Sequence, residues 1–109
     1  MPFVDRYATQ APDRADVDAM RGPVVVEFGT DWCGHCIAAR PHVQAVFGAH
    51  PGVRHVKVED GRGRPLGRTF GVKLWPTLVF MRDGVEVARV VRPDGPREIA
   101  DAFMQLAAN

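Results

Sequence analysis

The stretch VVVEFGTDWCGHCIAARP, residues 24–41, decides how this chain folds. It opens with apolar, β-branched residues from Val24 to Phe28, interrupted by Glu27, and such a run predicts a buried central strand. It then passes through Cys33-Gly34-His35-Cys36 into a segment where Ile37, Ala38, Val43, Val46 and Phe47 alternate with polar residues. That pattern predicts a helix over 34–49, kinked at Pro41. The chain has no other cysteines. A Cys-X-X-Cys pair at the point where a buried strand turns into a helix is a strong indication of thiol redox chemistry.

The placement gives the two thiols different tasks. Cys33 would lie at the helix N-terminus, where unpaired backbone N–H groups and the helix dipole stabilise a thiolate. Cys36, one turn further in, would be near enough to bridge to it but more buried. Cys33 is therefore expected to attack a disulfide and Cys36 to resolve the resulting mixed disulfide. Gly34 would allow a tight turn and leave room for a partner's backbone. A protonated His35 would add positive charge beside the Cys33 thiolate, stabilise the dithiol and make the disulfide a better oxidant. The competing class is a metal-binding module built on Cys33, His35 and Cys36. A closed zinc site needs a fuller tetrahedral set, and no second Cys-X-X-Cys or His-X-X-His pair completes it. His42, His50 and His55 are scattered and read as surface or packing residues.

Downstream, Val53 to Glu59 predicts a second interior strand, followed by a Gly- and Arg-rich loop and a short helix around Pro65 to Phe70. Thr77 to Met81 and Val85 to Val91 read as strands joined through Arg82-Asp83-Gly84, and Asp-Gly between alternating runs is a hairpin signal. Pro96 suits the start of a last helix, with Ile99, Ala102, Phe103 and Leu106 on one face. Upstream, Phe3 to Arg6 reads as a short edge strand and Pro12 to Met20 as a helix stopped by Arg21-Gly22-Pro23. The order β-α-β-α-β-α-β-β-α combines parallel crossovers with a final antiparallel hairpin. The expected fold is thus α/β, a central mixed sheet of about five strands flanked by four helices on both faces.

At 109 residues the chain is read as one domain, 1–109, with a single core. Its composition, 46% hydrophobic and 25% charged, is globular. A net charge of +1 argues against a nucleic-acid binder, and Arg62, Arg64 and Arg68 read as a solvated loop and helix face. No apolar run approaches the ~20 residues of a membrane span. The start MPFVDRYATQ lacks the basic and apolar regions of a signal peptide, so a cytoplasmic location is expected. Structural disulfides are rare there, which favours a catalytic or metal-binding role for the thiols over a staple.

Phe28, Trp32-Cys33-Gly34-His35-Cys36, Pro41, Trp75-Pro76-Thr77 and Asp83-Gly84 resemble the thioredoxin family in order and spacing, over nearly the whole chain. The resemblance implies a thioredoxin fold, protein disulfide oxidoreductase activity and no cofactor beyond the redox-active Cys33–Cys36 pair. Protein disulfides or dithiols would be the substrates, with thioredoxin reductase or glutathione as possible thiol-reducing donors; a monomer is expected. Pro76 matches the family's cis-proline beside the cysteines, Trp75 would line the substrate groove, and Trp32 would shield the thiols. Glu27 stands where thioredoxins usually carry a buried aspartate behind the resolving cysteine. Burial would raise its pKa and make it a proton acceptor for Cys36, and Lys57 matches the lysine that commonly pairs with that carboxylate.

Three departures bear on specificity. Gly29-Thr30 replaces a usual Trp-Ala pair, His35 replaces the usual proline as in protein disulfide isomerase domains, and Arg92 lies where a small glycine usually borders the groove. The expected direction is reduction of client disulfides, with more oxidising, isomerase-like exchange as the alternative that His35 favours.

Overall fold

Strand β1 (Pro23–Gly29) runs through the middle of a mixed sheet, and its alternating side chains sort the core into two layers. The computed structural model describes residues 3–109. Strand β2 (Arg54–Glu59) pairs parallel to β1; β3 (Thr77–Arg82) pairs antiparallel on its other side, and β4 (Val85–Val91) lies antiparallel beyond β3. The spatial order is β2-β1-β3-β4.

On one face Val25, Leu78, Phe80 and Val90 pack against helices α2 (Gly34–Phe47) and α4 (Pro96–Ala108), which contribute Val43, Phe47, Ile99, Phe103 and Leu106. Phe103 meets Phe47 and Phe80 edge-on, with centroids 5.0 and 5.1 Å away, a favoured aromatic geometry. On the other face Val24, Val26, Phe28, Val56, Val58, Val79 and Met81 are covered by Val17 of α1 (Arg14–Asp18), by Leu66 of α3 (Pro65–Thr69), and by Phe70 just beyond it. Period-two side chains on a sheet covered by helices on both sides explain why the central strands are apolar throughout.

The fold is the α/β arrangement expected, with four helices and, among the described residues, four strands where about five were anticipated. Phe3 to Arg6 forms no strand. The Val4 N–H donates to His55 Nδ1, the Tyr7 N–H to Asp31 Oδ1, and the Asp5 carbonyl accepts from Lys57 Nζ. With these backbone groups committed to side chains, the segment touches the sheet as a parallel bridge from Ala8 to Val58. Helix α1 starts at Arg14 rather than Pro12 because Asp13 caps it: Asp13 Oδ1 accepts from the Asp16 N–H, and Asp16 Oδ2 from the Asp13 N–H.

The β3–β4 hairpin turns through Asp83 and Gly84, both left-handed at φ 51° and 81°, the conformation of a two-residue primed turn. Asp83 Oδ1 accepts from the Gly22 N–H at 2.7 Å and the Asp83 N–H donates to the Gly22 carbonyl at 3.1 Å, docking the turn beside the start of β1. A side chain at Gly84 would both strain this φ and overlap the Asp18 carbonyl. Gly84→Ala is therefore expected to destabilise the fold by about 1–3 kcal/mol, measured by urea unfolding. Unchanged stability would show that the turn is not fixed in this way.

Candidate active site

Strand β1 ends at Gly29, and Thr30-Asp31-Trp32 carries the chain to Cys33, the N-cap of α2 with extended backbone (φ −73°, ψ 124°). The Cys33 carbonyl accepts from the Ile37 N–H at 2.9 Å, the first closed turn of the helix. Both thiols are free and buried, at 9% exposure for Cys33 and 4% for Cys36. Burial, reinforced by the Cys33 thiol, pushes Cys36 up to about 11 against the opposing influence of the Thr30 backbone and the Tyr7 hydroxyl. Gly34 begins the helix facing open space and needs no left-handed φ. It makes no tight turn of the kind expected, and the space beside it is open.

Behind the thiols lies a network built on Glu27, whose side chain is 1% exposed. The Val4 N–H donates to His55 Nδ1 at 2.8 Å, so Nδ1 is unprotonated and Nε2 carries the imidazole hydrogen. Nε2–H then donates to Glu27 Oε1 at 2.9 Å, while the Tyr7 hydroxyl donates to Oε2 at 2.6 Å. Burial pushes the Glu27 carboxyl up, but the His55 hydrogen bond, the Lys57 charge and the Tyr7 hydroxyl together outweigh it and hold the group below its ordinary range. The expectation of a raised pKa is thus corrected: the cost of burial is there, and the partners overturn it. Lys57 acts through its charge rather than a direct ion pair. Its Nζ donates to the Asp5 carbonyl at 2.8 Å and stands 4.5 Å from the centre of the Tyr7 ring.

Gly29 makes room for Tyr7. A side-chain carbon at Gly29 would lie 2.5 Å from Cys36 Sγ and 2.6 Å from Tyr7 Oη, so both atoms converge on the space a larger residue would fill. Cys33, Cys36 and Tyr7 form one buried cluster, against which Trp75 packs.

The Trp75–Pro76 peptide is cis. Trp75 Nε1 donates to Asp60 Oδ2 at 2.9 Å, and the Asp60 N–H donates to the Gly29 carbonyl at 3.0 Å, so one aspartate ties the indole to the end of β1. Trp32, 75% exposed, meets Trp75 edge-on with centroids 6.0 Å apart. Arg92, left-handed at φ 49°, donates from Nε to the Trp75 carbonyl at 2.8 Å and from its backbone N–H to the Pro76 carbonyl at 3.0 Å. His35 is exposed and shares an open cleft with His42, Arg92 and Asp94.

The residues singled out in the sequence thus assemble in two layers: Glu27 and Lys57 behind the thiols; Trp32, Gly34, His35, Trp75, Pro76 and Arg92 around their outer side. Among the described residues no three His, Cys, Asp or Glu side chains converge as metal ligands. Sequence reasoning missed Tyr7 and His55. His55 has a signal: it shares parity with Lys57 on β2, and the parallel register sets Val25 opposite His55 and Glu27 opposite Lys57. Tyr7 has a weaker one, the space implied by Gly29.

A buried strand that delivers a Cys-X-X-Cys pair to a helix N-terminus, with an X-Pro corner beside it, defines a thiol–disulfide oxidoreductase of thioredoxin fold. The Thioredoxin family model matches residues 7–105, and the chain belongs to the thioredoxin family. It is 56% identical to thioredoxin 2 from Pseudomonas aeruginosa PAO1, solved in its reduced form, with a TM-score of 0.86 over 95% of this chain and 97% of that one. It is 30% identical to thioredoxin Asp f 28 of Aspergillus fumigatus over 80% of this chain and 81% of the relative. The chain spans about half the length of other thioredoxins it matches. It is also 43% identical to protein disulfide-isomerase A2 of Pongo abelii, over 56% of this chain and 12% of that protein.

Because the folded Glu27 carboxyl is held below its unfolded value, its stabilising share is full above the unfolded pKa of about 4.3 and is lost as pH falls through the folded value. Glu27→Gln is expected to flatten this acid limb. At neutral pH it should cost about 1–3 kcal/mol, since an amide offers one acceptor oxygen to two donors. Denaturant unfolding from about pH 3 to pH 7 measures both, and an acid limb shared by parent and variant would contradict the assignment.

Proposed function

We propose that this chain reduces disulfides of client proteins, working as a single unit over residues 1–109. The observation that carries this reading is a buried thiol, Cys36, one helical turn behind a second thiol at the helix N-cap, beside the Trp75–Pro76 corner. The Cys33 thiolate attacks a client disulfide, forms a Cys33–client mixed disulfide and releases one client thiolate. Cys36 then attacks the Cys33 sulfur, closes the Cys33–Cys36 disulfide and releases the second. Two electrons pass to the client, and a thiol donor, thioredoxin reductase or glutathione by chemical class, restores the dithiol.

Trp32 and the Trp75–Pro76 corner border the groove, Gly34 keeps its approach open, and Arg92 covers the Trp75 carbonyl with a cation. Glu27 and Lys57 govern the electrostatics behind Cys36. His35 tunes the pair by placing positive charge potential near the Cys33 sulfur when protonated. No helix among the described residues is long and apolar enough to cross a membrane; a cytoplasmic monomer agrees with the reading, since reducing conditions keep the resting pair as a dithiol. More oxidising, isomerase-like exchange is a second reading, favoured by His35 and by the similarity to protein disulfide-isomerase A2.

Reduction of insulin disulfides driven by dithiothreitol tests the mechanism. Cys33→Ser should abolish catalysis, and Cys36→Ser should accumulate mixed disulfides; a Cys33→Ser protein as active as the parent would remove it. The two directions separate by potential. His35→Pro should make the pair more reducing by about 30 mV or more, a tenfold change in the exchange equilibrium, read in glutathione buffers. An unmoved potential would deny His35 the tuning role.

A further inference from the structure

Closing the Cys33–Cys36 disulfide requires the Cys36 proton to leave a buried site. Among the described residues Glu27 accepts from His55 Nε2–H at Oε1 and from the Tyr7 hydroxyl at Oε2, and no hydrogen bond joins it directly to the Cys36 thiol. The Tyr7 oxygen meets both sides. It lies 2.6 Å from Glu27 Oε2, and it borders Cys36 Sγ across Gly29, where one added carbon would touch both atoms. Its single hydrogen points at Glu27, which leaves its lone pairs free to accept from the Cys36 thiol.

We propose that the Tyr7 hydroxyl relays the Cys36 proton to Glu27 in the step that closes the Cys33–Cys36 disulfide; the relay rests on the thiol-exchange reading above. As Cys36 Sγ attacks the Cys33 sulfur of the mixed disulfide, its proton passes to the Tyr7 oxygen while the Tyr7 proton crosses to Glu27 Oε2. The Cys33–Cys36 bond forms, the bond from Cys33 to the client sulfur breaks, and the electron pair leaves on the client as a thiolate. Glu27 holds the proton until it passes to solvent.

Tyr7 ends the step as it began, a phenol. That matters because burial and the Glu27 charge push its ionisation far above the ordinary range, so no route through a phenolate is open. The transfer accompanies sulfur attack rather than preceding it. Glu27 is always ionised near neutrality but weakly basic, and moving the proton from Cys36 ahead of bond formation would be steeply uphill.

The other titratable groups facing this pair offer no equivalent path. Asp5, Asp31, Arg40 and Lys57 line a small cavity that Tyr7 and Cys36 also border. Asp31 accepts from the Tyr7 N–H and pairs with Arg6, Asp5 pairs with Arg40, and Lys57 donates to the Asp5 carbonyl. His55 lies behind Glu27 with both ring nitrogens engaged, and the Cys33 sulfur is itself the reacting centre.

The test mixes reduced protein with oxidised glutathione, quenches with acid, and follows the Cys33–glutathione adduct and the closed disulfide separately by mass. Tyr7→Phe keeps the ring and removes the hydroxyl. The adduct should form, but its resolution should slow by about tenfold or more. Its rate should also climb with pH through the thiol range, where the parent's stays flat near neutrality. A purely structural role for Tyr7 would leave that pH profile unchanged. Equal resolution rates and profiles in parent and variant overturn the relay while leaving thiol exchange intact; a parent that never forms the adduct overturns the underlying reading as well. If Tyr7→Phe does not fold, the unmodified protein decides: resolution should be slower in D2O than in H2O, and equal rates overturn the relay.

Discussion

A carboxylate buried between the central strands is the constraint on which this site depends. Removing the charge of Glu27 from water would be prohibitive without donors, and two of them come from far along the chain. His55 is on the neighbouring strand, and Tyr7 belongs to the N-terminal segment. That demand shapes the segment itself. Val4 fixes the His55 tautomer through its N–H, Asp5 holds the Lys57 ammonium through its carbonyl, and Tyr7 reaches inward, so residues that could have paired along the sheet edge wrap over β2. A single buried charge thus bears on how residues 4–7 lie, and through Tyr7 it borders the Cys36 thiol.

What was legible in the sequence is what local periodicity carries. Val24 to Phe28, Thr77 to Met81 and the Ile99–Leu106 face announced their elements because each pattern repeats within a few residues, and the Asp83-Gly84 turn needs no more than its own two backbones. The Cys33–Cys36 site was legible for the same reason: strand, thiols and helix are contiguous. The N-terminal segment was not. Its hydrogen bonds run to side chains 51 and 24 residues away in sequence, and nothing local signals them. His55 looked unremarkable until the parallel pairing of β1 with β2 put it on the same face as Glu27. The direction of the Glu27 shift failed likewise: burial can be read from neighbours in sequence, whereas the donors that overturn it appear only with the register.

Gly29 shows how one small residue reorganises a site. With a side chain there, Tyr7 Oη and Cys36 Sγ could not both remain where they are. The phenol that fills this space brings a hydroxyl, so the space lost to a hydrocarbon ring becomes a polar link between carboxylate and thiol. Asp60 contributes the complementary restraint, accepting from the Trp75 indole while its own N–H holds the last carbonyl of β1. The Trp75–Pro76 corner is therefore tied to the same strand that carries Glu27.

This arrangement separates chemistry from recognition. Glu27, His55, Lys57, Tyr7 and Cys36 are buried together, so a change in any of them alters electrostatics at low effective dielectric, where a lost hydrogen bond is costly. Trp32, His35 and Arg92 are exposed, outside the buried network. Arg92 makes the separation concrete. Its guanidinium lies on the Trp75 carbonyl, so on the proposed reading a client that binds that acceptor has to displace a cation. On that reading, the exposed residues govern client selection and the buried ones the rate of disulfide closure.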